Sequence, residues 1–346
     1  MIQRHPIKNF HDLDHVAEFL KIDFPGDMYR VEQAYPVLTN SYYLSLIDRN
    51  DPFNDPLFKQ CLPHSDELLD YDASFDPLAE ERQSVVSRLI HRYHDRAVMI
   101  ATNRCASYCR FCFRKRFWKR GNEFSDITDT ELEDICAYYR AHPELKEILV
   151  SGGDPLMLSE QRLKYILDRL AEIDSLEVIR LASRIPVFMP QKISDELVNM
   201  LSAYPCLWFA THFNHPHELT DDSREACRKL ISAGIPIINQ TVLLKGINDA
   251  PETLEELFRQ LIRIKVKPHY LFHIDPVTGV RHFATGIEKG KEILRYCRPR
   301  LSSLATPAFA IDLPEGGGKV SIQENYYDGE CYETIFSGKV KYPEQL

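Results

Sequence analysis

Cys105-Ala-Ser-Tyr-Cys109-Arg-Phe-Cys112 places three thiols within eight residues, at spacings of four and then three. Thiolates are soft ligands that suit zinc or an iron–sulfur cluster. One helical face or one tight loop could gather all three. A four-iron cluster has four corners, so three cysteines leave one iron open to a non-protein ligand. A three-cysteine zinc site usually recruits a fourth Cys or His nearby, and the nearest, His91 and His94, lie on the far side of an apolar run. Packing of the three in a core is the remaining alternative.

Further reactive residues stand where apolar runs end. Ser151-Gly152-Gly153-Asp154-Pro155 offers backbone that a ligand can approach closely, plus a carboxylate that could accept from an ammonium. It also reads as an ordinary turn into a helix. Ser183-Arg184 could hold a carboxylate or form a rim ion pair, and Thr211-His212-Phe213-Asn214-His215-Pro216-His217 invites a metal reading. Asn239-Gln240 and Asp275 close two more runs. Glu315-Gly316-Gly317-Gly318-Lys319 is either a flexible turn with a solvated lysine or a reactive amine on a glycine loop. It is not a Walker phosphate loop, because Val320 follows Lys319 where that motif needs Ser or Thr.

The elements that must position these residues show a rhythm. Apolar, β-rich runs fall at about 97–102, 147–151, 177–182, 207–211, 236–243 and 268–274, with helical stretches near 130–142, 160–172, 193–203, 223–233, 252–264 and 284–297. Strand and helix alternating at this spacing predict a parallel α/β sheet with crossover helices, a partial (β/α)6 TIM-like barrel. In such a barrel the loops at the C-terminal ends of the strands carry the chemistry, and the cysteine stretch sits on the first of them. A further strand-like run, Pro307–Asp312, leads into the glycine tract. Residues 1–95 read as a mostly helical N-terminal extension, 96–325 as the barrel, and 326–346 as a peripheral tail.

Composition narrows the function class. Hydrophobic content of 44%, charged content of 27% and a net charge of −9 describe an ordinary globular chain and argue against nucleic acid as the main partner. No apolar run approaches a membrane span, and the start Met1-Ile-Gln-Arg-His-Pro lacks a signal-peptide core. Cys61, Cys136, Cys206, Cys227, Cys297 and Cys331 are scattered without pattern, so reduced thiols in a cytoplasm are expected.

CxxxCxxC after a strand resembles the signature of radical S-adenosylmethionine (SAM) enzymes. With Tyr108, Arg110 and the basic run Arg114-Lys115-Arg116, the stretch is similar to the lysine 2,3-aminomutase branch, a likeness that runs from about residue 36 to about residue 325. The resemblance implies a 4Fe-4S cluster on Cys105, Cys109 and Cys112. It implies SAM contacts from Ser151, Gly152, Gly153, Asp154, Ser183, Arg184 and His212. It further implies pyridoxal 5′-phosphate (PLP) on Lys319 as a Schiff base, with Arg96 at its phosphate and Gln240 nearby. Arg114 would pair with the substrate carboxylate, and Asp275 and Asp312 with the distal ammonium of lysine. In glutamate-specific relatives the last two positions are not acidic.

The chemistry so implied is reductive cleavage of SAM, removal of hydrogen from the β-carbon of lysine, migration of the α-nitrogen and return of the hydrogen to give β-lysine. The reductant would be an electron donor such as flavodoxin or ferredoxin. Ornithine or arginine as substrate, and a radical SAM enzyme without PLP, stay open. The longer free-lysine mutases carry a cysteine-rich C-terminal segment that binds zinc across an oligomer interface. Here the tail has only Cys331, and Ala250 stands where a partner cysteine is expected. No structural zinc is expected, and a homo-oligomer stays open. The shorter length resembles the branch that makes β-lysine for elongation factor P, yet that branch commonly lacks the aspartate present here as Asp312. Both roles for the product, free metabolite or modification precursor, stay open.

Overall fold

The computed structural model describes residues 6–69, 73–119, 126–323, 325–336 and 338–341. Its centre is a ten-stranded sheet in sequential order. The strands are β1 (Ser84–Val86), β2 (Leu89–Tyr93), β3 (Arg96–Thr102), β4 (Glu147–Gly152), β5 (Val178–Ala182), β6 (Leu207–Thr211), β7 (Ile237–Val242), β8 (Val266–Phe272), β9 (Ala308–Leu313) and β10 (Gly318–Ser321). From β3 to β9 every neighbouring pair is parallel. Antiparallel strands close both ends, β10 on β9 and the β1–β2 hairpin on β3.

Six crossover helices cover the outer face: α1 (Asp129–Ala141), α2 (Glu160–Ala171), α3 (Asp195–Leu201), α4 (Asp221–Ser232), α5 (Pro251–Arg263) and α6 (Ile287–Cys297). Each expected strand and helix of the barrel is present, with ends displaced by a few residues at most. The starts follow from local chemistry. Thr128 and Glu131 form a capping box on α1, and Ser159, Ser194 and Thr220 cap α2, α3 and α4. Leu254, Leu257, Phe258 and Leu261 of α5 are buried, a stripe of helical period facing the sheet.

The strands divide their residues by a period of two. In β4, Ile148 and Val150 are fully buried under the helices, while Glu147, Leu149 and Ser151 face an inner cavity. In β5, Ile179 and Leu181 are buried, and Arg180 and Ala182 face that cavity. The sheet curls until its ends meet. The Tyr93 hydroxyl on β2 accepts from the Lys319 backbone N–H on β10 at 2.8 Å, and Arg92 stands 4.0 Å from Asp312.

The first 95 residues differ from expectation at their C-terminal part. Helices Leu13–Leu20, Gly26–Ala34, Ser41–Ser45 and Pro56–Cys61 agree with the helical reading, but β1 and β2 belong to the central sheet. Leu89-Ile-His-Arg-Tyr shows no clean alternation; its partner is β3, so tertiary pairing decided it. The boundary placed before Arg96 thus falls in the turn between paired strands. The tail contributes a small exposed hairpin of Tyr332–Glu333 and Lys339–Val340. All nine cysteines are free, and among the described residues no helix is long and apolar enough to cross a membrane.

Candidate active site

Cys105–Cys112 forms irregular loop and turn after β3, held from below by the N-terminal residues. The Tyr108 N–H donates to the Leu38 carbonyl (2.7 Å), and the Arg110 N–H to that of Gln60 (2.8 Å). The Arg110 guanidinium is wholly buried and grips Glu67 with Nε (2.9 Å) and Nη2 (2.7 Å). Lys115 Nζ also reaches Glu67, at 2.9 Å, and the Gly279 carbonyl at 2.7 Å. Breaking one member of such a buried network costs about 3–5 kcal/mol, because a charge is left unpaired. The loop is therefore rigidly placed.

All three sulfurs face the inner cavity, whose volume is about 630 Å³. Burial raises the Cys105 thiol well above its ordinary range, with negative charge on Cys112, Asp154 and Cys109 adding to the effect. Burial and then the charge of Cys109 push Cys112 up to about 11. Thiolates that oppose one another in a dry site gain most from a cation placed among them. Among the described residues, no three His, Cys, Asp or Glu side chains converge tightly enough for a single metal ion. The three cavity-lining cysteines supply the ligand set of an open-cornered iron–sulfur cluster.

Gly152 and Gly153 are dictated by close approach. A Cβ on Gly152 would lie 2.4 Å from the Thr102 carbonyl oxygen, and one on Gly153 would lie 2.3 Å from that of Arg104. Gly152 also has φ +116°, a conformation that side chains rarely adopt. The end of β4 is thus pressed against the entry to the cysteine loop. Asp154 is buried and accepts from Ser183 Oγ (2.8 Å), the Arg184 N–H (2.8 Å) and the Leu156 N–H (3.0 Å). It joins β4 to β5 at the cavity wall. His212, after β6, packs edge-on to Phe111 with ring centroids 5.6 Å apart. Its Nε2 is buried without a hydrogen-bond partner in the protein. Burial and then the Arg184 charge hold His212 well below its ordinary value, so the ring is neutral. An orphaned polar atom on a cavity wall marks a place for a ligand.

The opposite wall carries Lys319. Its Nζ lies 2.6 Å from Asp312 Oδ2 and 3.9 Å from the Phe272 ring centroid. Burial lowers the amine's proton affinity, while Asp312 works the other way. Glu315 (φ 58°), Gly316 and Gly318 take left-handed conformations in the tight β9–β10 connection, which fixes the lysine opposite Asp312. Arg96 stacks on Tyr93 at 4.0 Å, the ring whose hydroxyl receives the Lys319 N–H. Gln240 also faces the cavity.

Asp275 lies where the loop after β8 enters the cavity. Its carboxylate has no hydrogen-bond partner among the described residues, and burial, then the charge of Asp312, push it up to about 7. Arg114 differs from expectation in one respect. Its Nε and Nη2 edge is clasped by Glu80, at 3.0 and 2.6 Å, and Nη1 reaches Ser151 Oγ at 3.2 Å. Only its outer face is left toward the cavity.

Every cofactor- or substrate-binding residue that the resemblance implied lines one cavity: Arg96, Cys105, Cys109, Cys112, Arg114, Ser151, Gly152, Gly153, Asp154, Ser183, Arg184, His212, Gln240, Asp275, Asp312 and Lys319; His215 and His217 of the histidine run do not. Sequence reading missed Arg92, Arg180 and His269, three further basic side chains that line the cavity, and Glu80. Arg180 was legible in principle, since it occupies an inward position of β5. Glu80 was not, because its partners are 34 and 36 residues away.

The residues fit the three groups that the resemblance implies. Three cavity-facing thiols match the ligand count of an open-cornered cluster, the orphaned His212 nitrogen marks a ligand place between those thiols and β6, and a half-buried lysine with bases around it matches an aldehyde-bearing phosphate ester.

The Radical SAM superfamily model matches residues 99–261. The L-lysine 2,3-aminomutase of Clostridium subterminale is 42% identical over 295 residues, covering 85% of this chain and 70% of that protein. That of Bacillus subtilis is 38% identical over 347 residues, covering 98% and 73%. The glutamate 2,3-aminomutase of Clostridioides difficile is 41% identical, covering 82% and 67%. The cavity was assembled from the residues that carried the resemblance, and identity at this level extends over most of both chains: this chain belongs to the lysine 2,3-aminomutase family of radical SAM enzymes.

Proposed function

We propose that this chain moves the α-amino group of L-lysine to the β-carbon, giving β-lysine. The observation that carries the substrate is the pair Asp275 and Asp312. Two carboxylates in one buried cavity repel each other, and a distal ammonium relieves that repulsion, whereas the side-chain carboxylate of glutamate would add to it.

Cys105, Cys109 and Cys112 would hold the 4Fe-4S cluster. Ser151, Gly152, Gly153, Asp154, Ser183 and His212 form the wall for SAM, in which the glycines bring bare backbone against the ligand. Lys319 would hold PLP, with Arg96 and Gln240 beside it and Arg92, Arg180 and His269 as further bases. When bound, the cluster with SAM supplies a hydrogen-abstracting radical, and PLP supplies an aldehyde that takes up the migrating amine. The protein's work is placement. Arg114, braced by Glu80 on one edge, presents its outer edge to the substrate carboxylate. Asp275 and Asp312 fix the far end, so that the β-hydrogen is held toward the cluster side of the cavity. Asp312 pairs with Lys319 in the chain without PLP, and its carboxylate would serve the substrate's distal cation once that lysine holds PLP.

An anaerobic assay with lysine, SAM, PLP and a reductant, followed by mass spectrometry, tests the reading, with Lys319→Ala as control. β-Lysine from the wild type and none from the variant is expected. Turnover of ornithine or arginine without lysine would refute the substrate assignment. SAM cleavage without any amino-acid isomerisation would refute the aminomutase reading.

A further inference from the structure

Arg184 lies behind the cysteine loop at the end of β5. The family position gives it to the carboxylate of SAM, yet most of its donors are already spent on protein. Its Nε donates to the His212 carbonyl at 2.8 Å. Nη2 donates to Glu218 at 2.9 Å and to Gln60 at 3.2 Å. Nη1 donates to Cys109 Sγ at 2.9 Å. The guanidinium also stacks 4.5 Å from the Phe188 ring centroid. Glu218 is completely buried and accepts from the Tyr43 hydroxyl (2.9 Å) and the Asn214 N–H (2.6 Å). Arg184 is thus a fixed cation in a dry, satisfied network, aimed at one sulfur.

We infer that Arg184 is a positioning residue for the cluster, acting through Cys109: its charge and its N–H···S bond favour the reduced cluster, and Glu218 sets how much of that charge is felt. The inference rests on the reading that the three cysteines hold the cluster. Reduction adds one electron, delivered by a donor of the flavodoxin or ferredoxin class, and so makes the cluster more negative. A cation that donates to a ligand sulfur stabilises that state more than the oxidised one. Burial makes the effect large, since little solvent screens the charge. Glu218, bound to the neighbouring Nη2, opposes it. Removing Arg184 and neutralising Glu218 should therefore move the potential in opposite directions.

The test is a redox titration of the anaerobically reconstituted full chain, read by visible absorbance and electron paramagnetic resonance, with iron and sulfide counted in each sample. In Arg184→Met the ratio of reduced to oxidised cluster at a fixed potential is expected to fall by roughly tenfold, the scale of one charge-assisted hydrogen bond. Glu218→Gln, which keeps the shape, is expected to raise it, and Arg184→Lys to lie between wild type and Arg184→Met. Equal potentials in all forms, or shifts of the same sign in Arg184→Met and Glu218→Gln, overturn the inference while leaving the family reading intact. If Arg184→Met assembles no cluster, Glu218→Gln decides alone: a raised potential supports the inference, and an unchanged or lowered one overturns it. A wild-type chain that takes up no iron overturns both.

Discussion

Replacing Asp275 with Asn should weaken catalysis and strengthen the fold at once. The carboxylate is pushed up to about 7 by burial and by the neighbouring charge of Asp312, with Glu80 adding and Lys319 and Arg114 opposing. In the unfolded chain it titrates near its ordinary 3.8. A raised carboxyl favours the native state below pH 4, and that advantage is lost as the pH climbs through about 7. Moving the carboxyl from 3.8 to about 7, at 1.36 kcal/mol per tenfold change in proton affinity, sets an upper bound of about 4 kcal/mol, and partial solvent contact reduces this to about 1–2 kcal/mol. Asp275→Asn removes the penalty, so its melting temperature should exceed that of the wild type by about 1–4 °C at pH 8, by less at pH 5, and match it below pH 4. Catalysis should move the other way. One of two carboxylates for the distal ammonium is gone, and the other is shared with Lys319, so kcat/KM for lysine should fall by roughly 30- to 160-fold, the equivalent of about 2–3 kcal/mol. Thermal unfolding at these pH values and steady-state kinetics measure both effects. A variant less stable at pH 8, or one with unchanged kcat/KM, would refute the reasoning.

Further outcomes follow from the same geometry. Asp312→Asn removes the anion that holds the Lys319 proton, so the amine should take up free PLP faster at pH 7 than in the wild type, seen as growth of the lysine-bound aldehyde's absorbance; slower uptake would contradict the pairing. Gly153→Ala forces a Cβ to 2.3 Å from a backbone oxygen, and the chain should lose about 2–4 kcal/mol of stability and hold less iron after reconstitution. Tyr93→Phe deletes the hydroxyl that receives the Lys319 N–H and should cost about 1 kcal/mol in stability. Iron content should stay normal in that variant, because the cysteine loop lies elsewhere on the cavity wall.

The barrel's rhythm was legible in the chain alone, since period two in the strands and the amphipathic stripe of α5 are local patterns that burial against a sheet simply fulfils. It also determined which residues converge, because parallel strands joined by crossovers send all their C-terminal loops to one end. The β1–β2 hairpin was hidden, as its pairing with β3 is a tertiary fact carried by a segment without alternation. What each cavity residue touches was likewise decided only in three dimensions. Glu80 takes one edge of Arg114, and Arg184 is turned onto Cys109 Sγ and Glu218. Asp312 pairs with Lys319 at 2.6 Å while Asp275 stands without a partner among the described residues, so two carboxylates that look alike in the sequence stand in unlike surroundings. Residue types and spacing name the members of such a site. Charge and hydrogen bonding act through space at a few ångströms, so partners brought together from 34 to 124 residues apart are set by the fold alone.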